Sequence, residues 1–188
     1  MSTKPFLAAA VLGVALVAGA SGQAQQPPGA PAAVPAAPPP ANPLDNVPDK
    51  MPFDVPYGAP ISLARATAAI AAAAAEARKH DWKLDIAVVD SGGNLVAFER
   101  MDGAQLASIQ IAEHKARASA TFRRETKAFE NAIQQNGANY VMTLDGVVAS
   151  RGGIPLIEGG KLIGAIGCSG GTGSQDEVAC KAGAATVK

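Results

Sequence analysis

The pentapeptide Gly167-Cys168-Ser169-Gly170-Gly171 fits G-x-S-x-G, the pattern in which a strained strand-to-helix turn presents a nucleophilic serine. That chemistry calls for an acid and then a histidine later in the chain, whereas both histidines, His80 and His114, precede Ser169. Other triad orders exist on other folds, but no second glycine-rich backbone pair marks an oxyanion hole. The glycines read instead as a tight strand exit, with Asp176 and Glu177 favouring the N-terminus of a following helix through its dipole. Phosphate-loop chemistry is absent too: there is no G-K-[ST], and Gly171-x-Gly173-x-x-Asp176 breaks the dinucleotide fingerprint. Two cysteines and two separated histidines make no zinc quartet.

The remaining donor residues are dispersed. His114 follows Glu113 on a helix, about 140° around from Ile109, on the solvent or interface side. His80 falls at a helix C-terminus, where an imidazolium caps the dipole. Met101 lies in "RMDGA", between strand and helix, as a soft thioether that lines a pocket or fills core. Tyr140 and Met142 stand in a less regular stretch. Cys168 ends a strand and Cys180 lies about one turn into a helix folding back over the sheet. An even cysteine count in an exported chain permits a disulfide, with two buried thiols as the competing reading.

These residues need elements to position them. "SLARATAAIAAAAAEARKH" reads as a helix with Ser62 as N-cap and Leu63, Ile70, Ala74 and Ala77 on one face. "LDIAVVD" and "NLVAFER" flank Ser91-Gly92-Gly93 as a β-hairpin. A long helix from about Ala104 carries Ile109, Ala112, Ala116 and Ser119 on one stripe. A shorter helix covers Thr126 to Gln135 and stops near Asn136-Gly137. About three strands follow, including "IPLIE" and "KLIGAIGCS" around Gly159-Gly160, and a helix from about Gln175 to Val187 closes the chain. Hairpins without βαβ alternation predict an α+β domain with an antiparallel sheet over residues 57–188.

Before that domain the composition changes twice. Residues 1–24 read as a signal peptide: Lys4, an uncharged apolar run from Phe6 to Ala20, and small residues for cleavage after Ala20 or Ala24. The run falls short of the ~20 residues that span a bilayer, so no stable membrane insertion is expected. Residues 25–56 read as a Pro/Ala-rich disordered tether; of the 14 prolines, all but Pro5 and Pro155 lie between Pro27 and Pro60. The expected location is periplasmic or secreted. Sixteen basic residues balance sixteen acidic ones and aromatics are 4%, which argues against a nucleic-acid partner.

Three blocks, "AVVDSGGNLVAFERMDGA", "SIQIAEHKARASATF" and "GGIPLIEGGKLIGAIGCSGGTGSQDEVACKAG", resemble the GlcG/HbpS-like haem-binding (haem-degrading) family in order and spacing. The resemblance implies a profilin-like α+β domain with a five-stranded antiparallel sheet flanked by helices, homo-oligomers, and haem or a related tetrapyrrole as ligand. Relatives often carry K-A-x-T-A in the long helix, where this chain has Lys115-Ala116-Arg117-Ala118-Ser119. The hydroxyl that would approach the iron is therefore missing at Ala118, and Ser119 is rotated by about 100° from it.

A haem site needs an apolar slot, cations for the propionates and an axial donor. Glu99 to Ala104, with Arg100, Met101 and Asp102, and Arg151 to Pro155, with Gly152 and Gly153, are expected to form the rim. Arg100, Lys115 and Arg151 are the expected propionate partners, with Arg117, Arg123 and Arg124 as further cations, and His114 is the expected metal ligand. An exported haem- or tetrapyrrole-binding protein is the favoured reading. An enzyme degrading haem or acting on a small metabolite, and a non-catalytic oligomeric interaction module, are the alternatives; no acid–base pair in the sequence demands catalysis.

Overall fold

The computed structural model describes Asp45 and residues 47–187. The expected signal peptide lies outside these residues, as does the tether up to residue 44. The described elements are α1 (Leu63–Lys79), β1 (Asp85–Asp90), β2 (Leu95–Arg100), α2 (Ala107–Thr121), α3 (Lys127–Gln134), a 3-10 turn (Asn139–Thr143), β3 (Gly153–Glu158), β4 (Lys161–Ser169) and α4 (Gly173–Ala184).

The sheet is antiparallel with strand order β2-β1-β4-β3. It has four strands among the described residues, which corrects the five implied by the resemblance. The place of a further strand is taken in part by the approach segment. The N–H groups of Gly58 and Ile61 donate to the carbonyls of Leu162 and Ile163, and Leu162 N–H donates to Pro56. Tyr57 makes a parallel bridge to Leu162, beyond the last β1–β4 pair at Asp90↔Gly164. Prolines at 56 and 60 remove backbone donors, so this segment cannot extend into a regular strand.

Contacts to the domain begin before Tyr57. Arg124 stacks over the Phe53 ring, Arg123 Nη1 donates to the Val55 carbonyl, and Tyr57 Oη donates to the Thr121 carbonyl. The two arginines thus clamp the approach segment onto the end of α2.

Helices cover both faces of the sheet. On one face α1 and α4 pack against Ile86, Val88, Ile154, Leu156, Ile163 and Ile166; on the other α2 packs Ala112, Ala116 and Ala120 against Ala87, Val89, Leu162 and Ala165. Ser62 caps α1 as expected, accepting from Arg65 N–H, but Leu63 in its first turn is exposed and the inner face begins at Ala66. Thr172 and Gln175 form a capping box that starts α4 two residues before its expected onset. The Cys168–Cys180 disulfide ties β4 to α4 inside the first core.

Small residues set the distance between α2 and the sheet. A Cβ at Gly167 would lie 2.1 Å from the Ala112 carbonyl oxygen and 2.5 Å from Ala116 N, both backbone atoms. The helix therefore rests on β4 at a separation only glycine allows. Gly167→Ala is expected to destabilise the domain at the upper end of the about 1–3 kcal/mol typical of overpacking, read as a lowered midpoint in urea denaturation. An unchanged midpoint would refute this close contact.

Candidate functional site

Lys115 projects from the inner side of α2 and is 1% exposed. Its Nζ lies 2.8 Å from Asp176 Oδ2 and donates to the Cys168 carbonyl at 3.1 Å. Asp176, in the first turn of α4, also accepts from Gly171 N–H at 3.1 Å. Burial pushes the Asp176 carboxyl above its ordinary range, and the attraction of Lys115 opposes it. The expected role of Lys115 as a propionate partner is therefore corrected: its charge is enclosed and already used.

Gly152 and Gly153, expected at a ligand rim, let the chain pass this pair. Gly152 has φ +116°, and a Cβ there would sit 2.8 Å from Asp176 Cβ and 2.9 Å from the Cys168 carbonyl oxygen. A Cβ on Gly153 would come within 2.4 Å of the Lys115 carbonyl oxygen. Both glycines are buried, and they serve packing rather than a ligand surface.

Arg151 is likewise committed. Its Nη2 and Nε donate to Glu130 Oε1 at 2.6 and 2.9 Å, its backbone N–H donates to Glu130 Oε2 at 2.8 Å, and Nη1 reaches Glu177 Oε2 at 3.4 Å. Lys127 and Lys181 complete the cluster on Glu177 Oε1. The Arg151 side chain holds the Glu130 carboxyl below the usual range through these hydrogen bonds. Two carboxylates already neutralise Arg151, so it is no free propionate partner.

Arg100, Met101 and Asp102 line a different cleft of about 300 Å³ with Arg78, Lys83 and Glu99. The expected single rim is thus corrected, because Arg151 lines a cleft with Glu130, Gln134 and Ser174 instead. Met101 is 8% exposed and belongs mainly to the core. Opposite Arg100 in the β1–β2 register stands a residue the sequence reading did not single out. Asp85 is completely buried, and neither carboxylate oxygen has a hydrogen-bond partner. Desolvation pushes its carboxyl up, against the pull of Arg100. The signal for it was present: Ala87 and Val89 share the Asp85 phase of β1, so apolar residues on both phases already implied a strand covered on both faces.

His114 and Arg117 stand three residues apart on the outer side of α2 and line a cleft of about 360 Å³. Its other wall is Asp145, Gly146, Val147 and Val148. The Arg117 Nε donates to the Gly93 carbonyl at 3.2 Å, and the guanidinium has no carboxylate partner among the described residues. Ala118, four residues after His114, is buried. The wall from Asp145 to Val148 is an irregular segment with no periodicity to mark it in the sequence.

The other donors are placed elsewhere. His80 caps α1, stacks on Trp82 with centroids 4.3 Å apart, and lies 3.5 Å from Glu76. Tyr140 and Met142 are exposed on the 3-10 turn. Ser169 is 4% exposed, with Asp85 rather than a histidine as its cross-strand neighbour. No group of three or more metal-ligating side chains occurs among the described residues.

Residues 61–185 match the model of a family described as haem degrading protein, HbpS-like. Protein GlcG of Escherichia coli K12 is 42% identical over 94 residues, covering 50% of this chain and 69% of GlcG. A solved double mutant of HbpS from Streptomyces reticuli superposes with a TM-score of 0.65 at 28% identity, covering 84% of this chain and 99% of that one. The solved complex of PduOC with haem gives a TM-score of 0.62 at 25% identity, covering 69% and 96%.

Breaking the buried Lys115–Asp176 pair from one side strands a charge. Lys115→Met and Asp176→Asn are each expected to cost about 3–5 kcal/mol by chemical denaturation. The double variant Lys115→Met/Asp176→Asn is expected to cost less than the sum of the two. Additive losses would show that the two charges do not depend on each other.

Proposed function

The chain belongs to the HbpS-like haem-degrading family, and from that premise we propose that it is an exported protein that binds haem or a related tetrapyrrole in the cleft between α2 and residues 145–148. The observation that carries this reading is the pairing of His114 with Arg117 on one open wall of that cleft. An imidazole is a competent axial donor for haem iron, and a guanidinium without a carboxylate partner suits a propionate. Val147 and Val148 supply apolar contact for the macrocycle. The solved haem complex of PduOC, a protein of similar fold, supports the ligand class. His114 lies four residues before Ala118 and so near the side of α2 on which the K-A-x-T-A pattern carries its threonine, where an imidazole can serve in place of the missing hydroxyl.

Export is proposed from the N-terminal sequence; among the described residues no helix is long and apolar enough to cross a membrane. Self-association belongs to the same reading. Leu106 and Ile111 on the helix side and Tyr140, Met142 and Leu144 beyond the cleft are all exposed, and a second chain covering them would remove apolar area from water.

Haemin titration should give a saturable Soret shift, weakened at least about tenfold in His114→Ala and several-fold in Arg117→Gln, as expected for losing a ligand bond and a charge-assisted contact. No saturable shift in the parent chain would sink the reading, and a shift indifferent to His114 would remove it as the ligand. Loss of bound haem under ascorbate with a bilin product would turn the binding protein into an enzyme. In light scattering at micromolar concentration the protein is expected at a multiple of the chain mass; a monomer mass would end the self-association proposal.

A further inference from the structure

The tip of the β1–β2 hairpin reaches the side of α2 that lines the His114 cleft. Asp90, at the end of β1, gathers this turn around its own polar groups. Its Oδ1 accepts from the backbone N–H groups of Gly92 and Asn94 at 2.8 and 2.9 Å. The Asn94 side-chain amide donates to the same carboxylate, and the Gly93 N–H donates to the Asp90 carbonyl. These bonds converge on one residue and leave the turn little freedom.

What the turn holds still is the Gly93 carbonyl, which accepts from the Arg117 Nε–H at 3.2 Å. Gly93 is buried with φ +83°, and a Cβ there would lie 3.2 Å from Thr121 Cγ2 and 3.3 Å from Arg117 Cγ. The absent side chain lets the turn settle between two residues one helical turn apart on α2. The rest of the Arg117 fork is uncommitted: it makes no ion pair among the described residues, and the residue lines the cleft with His114 and Val147. A guanidinium is planar, so fixing Nε restricts the directions open to its two terminal nitrogens. An arginine already held in this way loses less rotamer freedom when it takes a ligand.

We propose that the β1–β2 turn is a specificity element of this cleft, in which Asp90, through the Gly93 carbonyl, positions Arg117 for a carboxylate on the edge of the tetrapyrrole. On the haem-binding reading above, on which this depends, the preferred ligand carries a free propionate, and an esterified porphyrin binds less tightly. Asp90 and Gly93 do not line the cleft, so they act through Arg117 as positioning residues.

The probes are haemin and its dimethyl ester, which present the same iron and ring with and without propionate charge. Titrated into the full chain, haemin is expected to bind about tenfold more tightly than the ester, the worth of one charge-assisted contact. In Asp90→Ala that ratio should fall at least about threefold, while the Soret position of bound haemin, set by the axial ligand, stays as in the parent. Arg117→Lys keeps the charge but has no Nε–H for Gly93, and it is expected to lose the ratio to a similar extent. Asp90→Ala in the Arg117→Lys background should then change nothing further, and an additive loss would show that Asp90 does not act through Arg117. A ratio retained in either single variant overturns the positioning role. Should Asp90→Ala fail to fold, NMR of the Arg117 Nε–H in the parent chain decides. A signal protected from solvent exchange before any porphyrin is added supports the anchor, and a freely exchanging one overturns it. No saturable shift with either porphyrin overturns the haem reading and the role of the turn together. A parent chain that binds both porphyrins equally overturns the role of the turn alone.

Discussion

The buried Lys115–Asp176 pair is the constraint on which the arrangement of the domain depends. Lys115 belongs to the helix on one face of the sheet and Asp176 to a helix on the other, and the Cys168 carbonyl at the end of β4 lies between them. Two charges taken out of water leave little latitude: each must find the other at hydrogen-bond distance, or the cost of burial goes unrecovered. That requirement fixes how far α4 extends toward α2 and how closely β3 must pass. Gly152 and Gly153 are the consequence, since any side chain there would occupy the space of the pair or of the α2 backbone. The Cys168–Cys180 disulfide fastens the same junction covalently, one helical turn further along α4.

The orientation of α2 follows from this anchor. With Lys115 directed inward, residues one before and two after it are carried to the outer side by the 100° step of the helix. His114 and Arg117 therefore face the segment 145–148 because Lys115 faces Asp176. The alanines of the same helix allow close approach to Ala87, Val89 and Ala165, and the glycine at 167 removes the last steric obstacle. A haem-binding face on α2 would thus be positioned from behind, by a polar contact that takes no part in binding.

The acidic residues show how environment assigns different roles to one functional group. Glu130 accepts three hydrogen bonds from Arg151 and is held ionised in a rigid structural network. Asp176 is buried but answered by a lysine and a backbone amide. Asp85 is buried, and neither of its carboxylate oxygens has a hydrogen-bond partner. The first two stabilise junctions between elements; the third is where a core rule is broken, and such breaks are expected at sites of function.

Much of the scaffold was legible in the linear order of residues. The Ser62 cap, the alanine stripe of α1, the β1–β2 hairpin around Gly92-Gly93 and the exclusion of Ser169 as a nucleophile follow from local propensity, turn chemistry and chain order, which do not depend on distant contacts. The three blocks of family resemblance carried the α+β class for the same reason. The strand count did not follow, because whether Pro56–Ile61 forms a strand depends on its prolines meeting a bulged stretch of β4. Nor did the roles of the cations. In sequence Arg100, Lys115, Arg117 and Arg151 are equivalent charges, and only tertiary contacts separate the buried Lys115 and the neutralised Arg151 from the exposed Arg100 and Arg117. A charge's function is set by what lies within a few ångströms of it, and for these residues those neighbours come from segments tens of positions away in the chain.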